Sequence, residues 1–197
     1  MLEHAIAALR ADARVSAVIV IVAPGDDAWR LLADRAQATF IAAGGASRAE
    51  TVFNGLRAIR QNASDNDWIL VHDAARPCLA KEELARLIDL LVDDDVGGLL
   101  AVPLADTLKS ERDGRVYATI DRAQLWRAQT PQMFRCGVLA RALGRARDRA
   151  SLTDESSAVE QIGLQPRLVL GAGTNLKVTV AEDLLLAEAI LKAQGRW

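Results

Sequence analysis

The feature that most constrains this chain is a regular alternation of short, nearly unbroken apolar runs with stretches whose apolar residues recur at helical spacing. Leu2, Ile6, Leu9 and Ala13 mark one helix face, and the β-branched run Val15 to Val22 that follows reads as a buried strand. After the turn at Pro24-Gly25-Asp26, Trp29, Leu32 and Ala36 place a helix over Ala28 to Ala36, and Thr39 to Ala42 is the next strand. The pattern then repeats: a helix from Ser47 to Ile59, a strand at Trp68 to His72, a helix at Glu82 to Val92 and a strand at Gly98 to Val102. Ser47-Arg48-Ala49-Glu50 has the form of a capping box. Strands that are apolar throughout are buried on both faces, so the expectation is a doubly wound α/β domain with a mostly parallel sheet. The alternation breaks at Thr107 to Ile120, where two short strands flank Glu111-Arg112-Asp113-Gly114 and read as a projecting hairpin. Helices are expected again at Gly137 to Arg147 and Thr153 to Ile162, strands at Leu168 to Leu170 and Leu176 to Val180, and a last helix at Ala181 to Ala193.

A length of 197 residues favours one domain, taken as residues 1–197. Lys plus Arg number 24 against 26 Asp plus Glu, so the basic excess of a nucleic-acid binder is absent. The longest strongly apolar run, Ala17 to Ala23, falls short of the ~20 residues needed to cross a bilayer. Met1-Leu2-Glu3-His4 enters the helical pattern without the regions of a signal peptide, so the expected compartment is the cytoplasm. Cys78, Cys136, His4 and His72 have no metal-ligand spacing, which sets aside zinc and disulfides. The first helix has no N-cap and reads as entered part-way, although a fraying first turn is equally ordinary.

In open α/β sheets ligands collect beyond the carboxyl ends of the strands, and three such loops carry chemistry. Gly44-Gly45 followed by Ser47-Arg48 offers backbone amides, glycine freedom and a guanidinium to an anion; the plain alternative is a strand-to-helix turn with its cap. His72-Asp73-Ala74-Ala75-Arg76-Pro77 places a carboxylate suited to magnesium at a strand end, beside two small residues and a cation; the alternative is a solvated Asp–Arg pair. Asn175-Leu176-Lys177-Val178-Thr179 sets one lysine in an apolar run, where it either meets an anion or lays its stem along apolar surface. Together these are the requirements of phosphoryl or nucleotidyl transfer. Trp29, Trp68, Trp126 and Trp197 do not interleave with a basic stripe, and His4 and His72 form no persuasive nucleophilic set, His72 reading as a structural histidine.

The string V-H-D-A-A-R-P-C-L at Val71 to Leu79 resembles the signature of the 2-C-methyl-D-erythritol 4-phosphate cytidylyltransferases. Gly44-Gly45 with Ser47 to Thr51, then Asp106-Thr107, Asp121-Arg122, Leu125-Trp126, Thr130-Pro131-Gln132, Thr153-Asp154-Glu155 and Asn175 to Thr179 resemble that family's other motifs in order along essentially the whole chain. The resemblance implies a Rossmann-like nucleotidyltransferase in which the phosphate of methylerythritol phosphate attacks the α-phosphorus of CTP, with Mg2+ present and pyrophosphate released. It assigns Asp73 to the metal and substrate, and Gly44, Gly45, Arg48, Thr51 and Ala74 to CTP. Arg76, Thr107, Thr130 and Thr153 go to the acceptor, and Arg122 and Lys177 to catalysis and the attacking phosphate. It also implies that the hairpin, about residues 104–124, is an arm that embraces a second subunit, so Thr107 and Arg122 serve the neighbour's site in a homodimer.

Family members begin with a strand and a loop of the form A-A-G-x-G-x-R-M, followed by a P-K-Q segment, ahead of the helix that opens this chain. The resemblance therefore implies that the sequence is truncated at its N-terminus and lacks a triphosphate-binding loop. Ala46 also stands where many relatives carry an acidic residue. Two other readings remain: a cytidylyltransferase acting on a polyol phosphate such as ribitol 5-phosphate, and a non-catalytic relic that keeps the acceptor pocket and the arm. No fused cyclase domain is expected after the last helix.

Overall fold

The computed structural model describes residues 1–197 except 34, 35 and 147. In chain order the elements are α1 (Leu2–Arg10), β1 (Ile19–Val22), α2 (Arg30–Ala33), β2 (Thr39–Ala42), α3 (Arg48–Ile59), β3 (Trp68–Val71) and α4 (Lys81–Leu91). There follow β4 (Gly97–Pro103), β5 (Leu108–Arg112), β6 (Arg115–Ile120), β7 (Trp126–Arg135), α5 (Cys136–Arg145), a 3₁₀ turn (Arg149–Ser151), α6 (Glu155–Gln161), β8 (Arg167–Leu170) and α7 (Ala181–Ala193). The helix expected over Ala28 to Ala36 is described only as α2, with residues 34 and 35 of that span outside the described residues; so is residue 147 of the helix expected at Gly137 to Arg147.

Successive strand residues point to opposite faces, and Met133 and Phe134 of β7 show how the layers are built. Phe134 enters a core with Leu56 of α3, Leu139 and Leu143 of α5 and Val159 of α6. Met133 enters the other, with Leu84, Leu87 and Leu91 of α4, Leu100 of β4 and Ala8 of α1. Helices therefore cover both faces of the sheet, as the apolar strands predict. No described helix is long and apolar enough to cross a membrane.

Strand direction departs from the expectation. The main sheet has the order β3-β7-β4-β8, with β7 antiparallel to both β3 and β4 and β8 parallel to β4. β1 and β2 pair in parallel as a separate ladder. The sheet is therefore mixed. The element responsible, β7, carries no apolar period that announces a strand: it reads Trp-Arg-Ala-Gln-Thr-Pro-Gln-Met-Phe-Arg, and its buried middle is polar. Its proline sits where the β4–β7 register shifts, Leu99 facing Gln132 and Ala101 facing Ala128, so residues 129–131 bulge out opposite Leu100. Bulges are where a strand tolerates proline and re-aims a side chain.

Two further expectations are corrected. Val15 to Val22 enters its ladder only at Ile19, because Asp12 accepts the backbone N–H of both Arg14 through its side chain and Val15 through its carbonyl, turning the chain before the strand. Leu176 to Val180 is not a strand: the amide of Val178 goes to the Ala75 carbonyl, and those of Thr179 and Val180 go to the Asp183 carboxylate, so no ladder can form. The hairpin is present, with Asp113 at φ 52° and Gly114 at φ 74° making the two-residue turn that matches strand twist.

β1 and β3 each end a ladder, and between them lies an apolar slot of about 410 Å³ lined by Val18, Ile21, Val52, Leu56, Leu70 and Met133. At the carboxyl ends of these strands it adjoins a more polar cavity that carries the charged groups described next.

Candidate active site

The carboxyl end of β3 delivers His72 and Asp73. Asp73 is held by its backbone, which donates to Thr130 Oγ1 at 3.0 Å, and by two cations: Arg48 Nε lies 2.8 Å from Oδ1 and Lys177 Nζ 3.1 Å from Oδ2. Burial alone would raise the Asp73 carboxyl, but Arg48 and Lys177 outweigh it and hold it below the usual carboxylate range. Arg48 starts α3, and its remaining nitrogens make a forked pair to Glu155 at 2.7 and 2.9 Å. Glu155, the first residue of α6, is 1% exposed. Burial pushes its carboxyl up while the guanidinium opposes that rise. One arginine thus spans two carboxylates from two loops, and an ionised Asp73 faces a cavity of about 420 Å³ lined also by Arg48, Thr51, Ala74 and Lys177.

Gly44 and Gly45 are required by close approach. A Cβ on Gly44 would meet the Ala23 backbone at 2.9 Å, and one on Gly45 would overlap the Glu50 side chain at 2.4 Å. The loop's amides are not free as the sequence suggests: Gly45 N donates to Thr51 Oγ1 and Ala46 N to Glu50 Oε2. Only half of the expected capping box forms, Ser47 Oγ accepting from Glu50 N, because the Glu50 carboxylate is engaged at Ala46.

Arg76 is buried and points away from an acceptor role: Nη1 donates to the Asn175 carbonyl at 2.7 Å and Nη2 to that of Ala128 at 3.4 Å. With Gln129 Nε2, which also reaches the Asn175 carbonyl at 3.2 Å, it braces the loop that carries Lys177. Thr130, expected at the acceptor, is likewise buried, its hydroxyl shared between Asp73 N and His72 Nδ1. Thr153 is exposed just before α6. Thr107 and Arg122 are exposed at the root of the hairpin, where Arg122 donates to the Ala105 carbonyl, and no described contact joins either to Asp73.

Sequence reasoning missed Glu155, Gln129 and Gln132. Gln132 donates to Asp154 Oδ2 and accepts from Ser156 N, tying β7 to α6. The readable signal was a run of amide side chains next to a strand end, since polar groups at core positions need dedicated partners. His72 is buried and satisfied as expected, and burial pulls its imidazole down to about 4.

The sequence profile of the 2-C-methyl-D-erythritol 4-phosphate cytidylyltransferases matches residues 1–193. The chain belongs to this family. It is 52% identical to the 2-C-methyl-D-erythritol 4-phosphate cytidylyltransferase of Nitrosomonas eutropha, over 99% of this chain and 85% of that protein. The protein of that name from Laribacter hongkongensis is also 52% identical, over 97% of this chain and 83% of its own length. Among solved structures, a 4-diphosphocytidyl-2C-methyl-D-erythritol synthase superposes with a TM-score of 0.90 at 43% identity, covering 96% of this chain and 89% of that one. The Thermus thermophilus cytidylyltransferase superposes with 0.83 at 30% identity, covering 97% and 88%. As a family member the chain is a nucleotidyltransferase that makes CDP-methylerythritol from CTP in isoprenoid precursor synthesis, and its fold is the family's α/β nucleotidyltransferase fold.

Proposed function

We propose that cytidylyl transfer takes place in the cavity at Asp73, with the phosphate of 2-C-methyl-D-erythritol 4-phosphate attacking the α-phosphorus of CTP. A new P–O bond forms between the acceptor phosphate and that phosphorus, the bond to the β-phosphate breaks, and pyrophosphate leaves. The supporting observation is the clamp on Asp73: an ionised carboxylate between Arg48 and Lys177 at the carboxyl end of β3. Two polyanions approach each other only where cations screen them and fix the line of attack. Lys177, half exposed beside Asp73, is placed to hold the attacking phosphate, while Gly44, Gly45, Arg48, Thr51 and Ala74 border the cytidine side.

Among the described residues no group of three or more His, Cys, Asp and Glu side chains forms a metal cage, and Asp73 is the carboxylate that opens onto the cavity. Magnesium is commonly bound by one or two carboxylates together with substrate phosphates, so this donor set fits Mg2+ arriving with the triphosphate. When bound it would neutralise charge developing on the phosphates. The chain is read as a cytoplasmic homodimer in which Arg122 and Thr107 of the arm complete the neighbour's acceptor pocket. Val116 and Tyr117 on the hairpin are 67% and 61% exposed, and a two-stranded hairpin is marginal without something to cover it.

The test is acceptor-dependent release of pyrophosphate from CTP with methylerythritol phosphate and ribitol 5-phosphate in parallel. Turnover with the first is expected. Turnover only with the second would change the acceptor, and binding of acceptor without turnover would favour the relic reading. Lys177→Ala should lower kcat by about 10²-fold or more. Because its ion pair is solvent-exposed, stability should change by no more than about 1 kcal/mol.

A further inference from the structure

The hydrogen bonds around His72 admit a single arrangement of protons. Arg76 O, 3.0 Å from His72 Nε2, is a carbonyl and only accepts, so Nε2 carries the ring's proton. The ring is neutral, which leaves Nδ1 bare. Thr130 Oγ1, 2.9 Å away, must then donate its one proton to Nδ1. Asp73 N–H, 3.0 Å from the same oxygen, donates into a remaining lone pair. The direction runs unbroken from the Asp73 amide through Thr130 and His72 to the Arg76 carbonyl, closing a loop across residues 72–76. The bulge of β7 is what carries Thr130 to this place, since residues 129–131 stand out of the β4 ladder beside the end of β3.

We propose that His72 and Thr130 are positioning residues that fix the backbone of Asp73, and that Thr130 has no proton to offer a substrate phosphate. A phosphate oxygen accepts hydrogen bonds, so a threonine whose hydroxyl proton is committed to an imidazole cannot be its donor. This assignment moves Thr130 out of the acceptor pocket and gives the buried His72 a task in the site. It rests on Asp73 being the carboxylate of cytidylyl transfer, as set out above. Its geometry stands without that reading.

Two measurements test it. In the intact protein labelled with 15N-histidine, two-bond couplings from the ring protons report the tautomer of His72 directly. The Nε2–H tautomer is expected at neutral pH; an Nδ1–H tautomer or a charged ring would overturn the proposal whether or not the protein turns over. The second measurement is kinetic. Thr130→Val keeps the shape but removes the relay, and should lower kcat about tenfold or more, in the range of residues that orient a functional group, while KM for the acceptor stays within about twofold. Thr130→Ser restores the hydroxyl and should recover most of kcat. His72→Gln retains a donor near Arg76 O without an acceptor for Thr130, so it should reproduce the Thr130→Val loss, and the double variant should be no worse than either alone. A rise in the acceptor KM with kcat unchanged in Thr130→Val would instead mean direct substrate contact. If the wild-type protein shows no acceptor-dependent turnover, the functional reading fails while the tautomer still decides this one.

Discussion

At the residue scale the site is a problem in electrostatics solved by sharing cations. Glu155 is almost wholly enclosed and would be untenable without the forked contact from Arg48. Glu155→Gln keeps the shape but leaves the guanidinium facing a neutral amide. Removing one partner of a buried pair costs about 3–5 kcal/mol, and because Arg48 retains some solvent the lower end, about 3 kcal/mol, is expected in urea denaturation. Asp12 gives a second test. Hydrogen bonds from Arg14 hold its carboxyl down to about 2, against the burial that would raise it. A carboxyl depressed in the folded state adds stability above its unfolded pKa and loses it as pH falls. The difference between wild type and Asp12→Asn should therefore be full above about pH 5 and shrink from pH 4 towards pH 2. Since Arg14 is nearly half exposed, that difference should be about 1 kcal/mol.

At the scale of elements, the hairpin carries a prediction about the assembly. If Arg122 of one subunit serves the site that contains Lys177 of the other, Lys177→Ala and Arg122→Ala proteins are each nearly inactive, but mixed dimers regain one intact site. Random mixing should restore about a quarter of wild-type activity, measured by pyrophosphate release after subunit exchange. No recovery would place both residues in one subunit's site. The hairpin was legible because Asp113-Gly114 between alternating residues is a strong local signal, and Ser47 was legible as a cap because its hydroxyl acts within one turn of helix. β7 was not. Its Gln129, Thr130 and Gln132 are buried only because Asn175, His72, Asp154 and Ser156 meet them from distant parts of the chain. Leu176 to Val180 misled for the opposite reason: its apolar residues suit a strand, but Ala75 and Asp183 claim its amides. The motif at Val71 to Leu79 located Asp73 correctly at a strand end. It could not show that Arg76 and Thr130 face inward, because direction depends on which carbonyls and ring nitrogens the fold brings near.

At the scale of the whole molecule, two ladders share one pair of helical layers and are separated by the slot between β1 and β3. Amides on the slot-facing edges of those strands have no ladder partner among the described residues. In hydrogen exchange they should lose protection well before the amides of β4 and β7, which lie inside the main sheet. Equal protection on both would show that the slot is closed in solution. The placement of β7 also has a consequence for how the molecule is made. Trp68–Val71 and Gly97–Pro103 have no ladder with each other, and each waits for residues of Trp126–Arg135. On a ribosome the whole hairpin must emerge before the main sheet can begin to close, so the nascent chain holds two apolar strands without partners over the synthesis of the segment between them. Late, long-range pairing of this kind slows folding and exposes strand edges, which makes the first 125 residues the interval in which a chaperone would matter most.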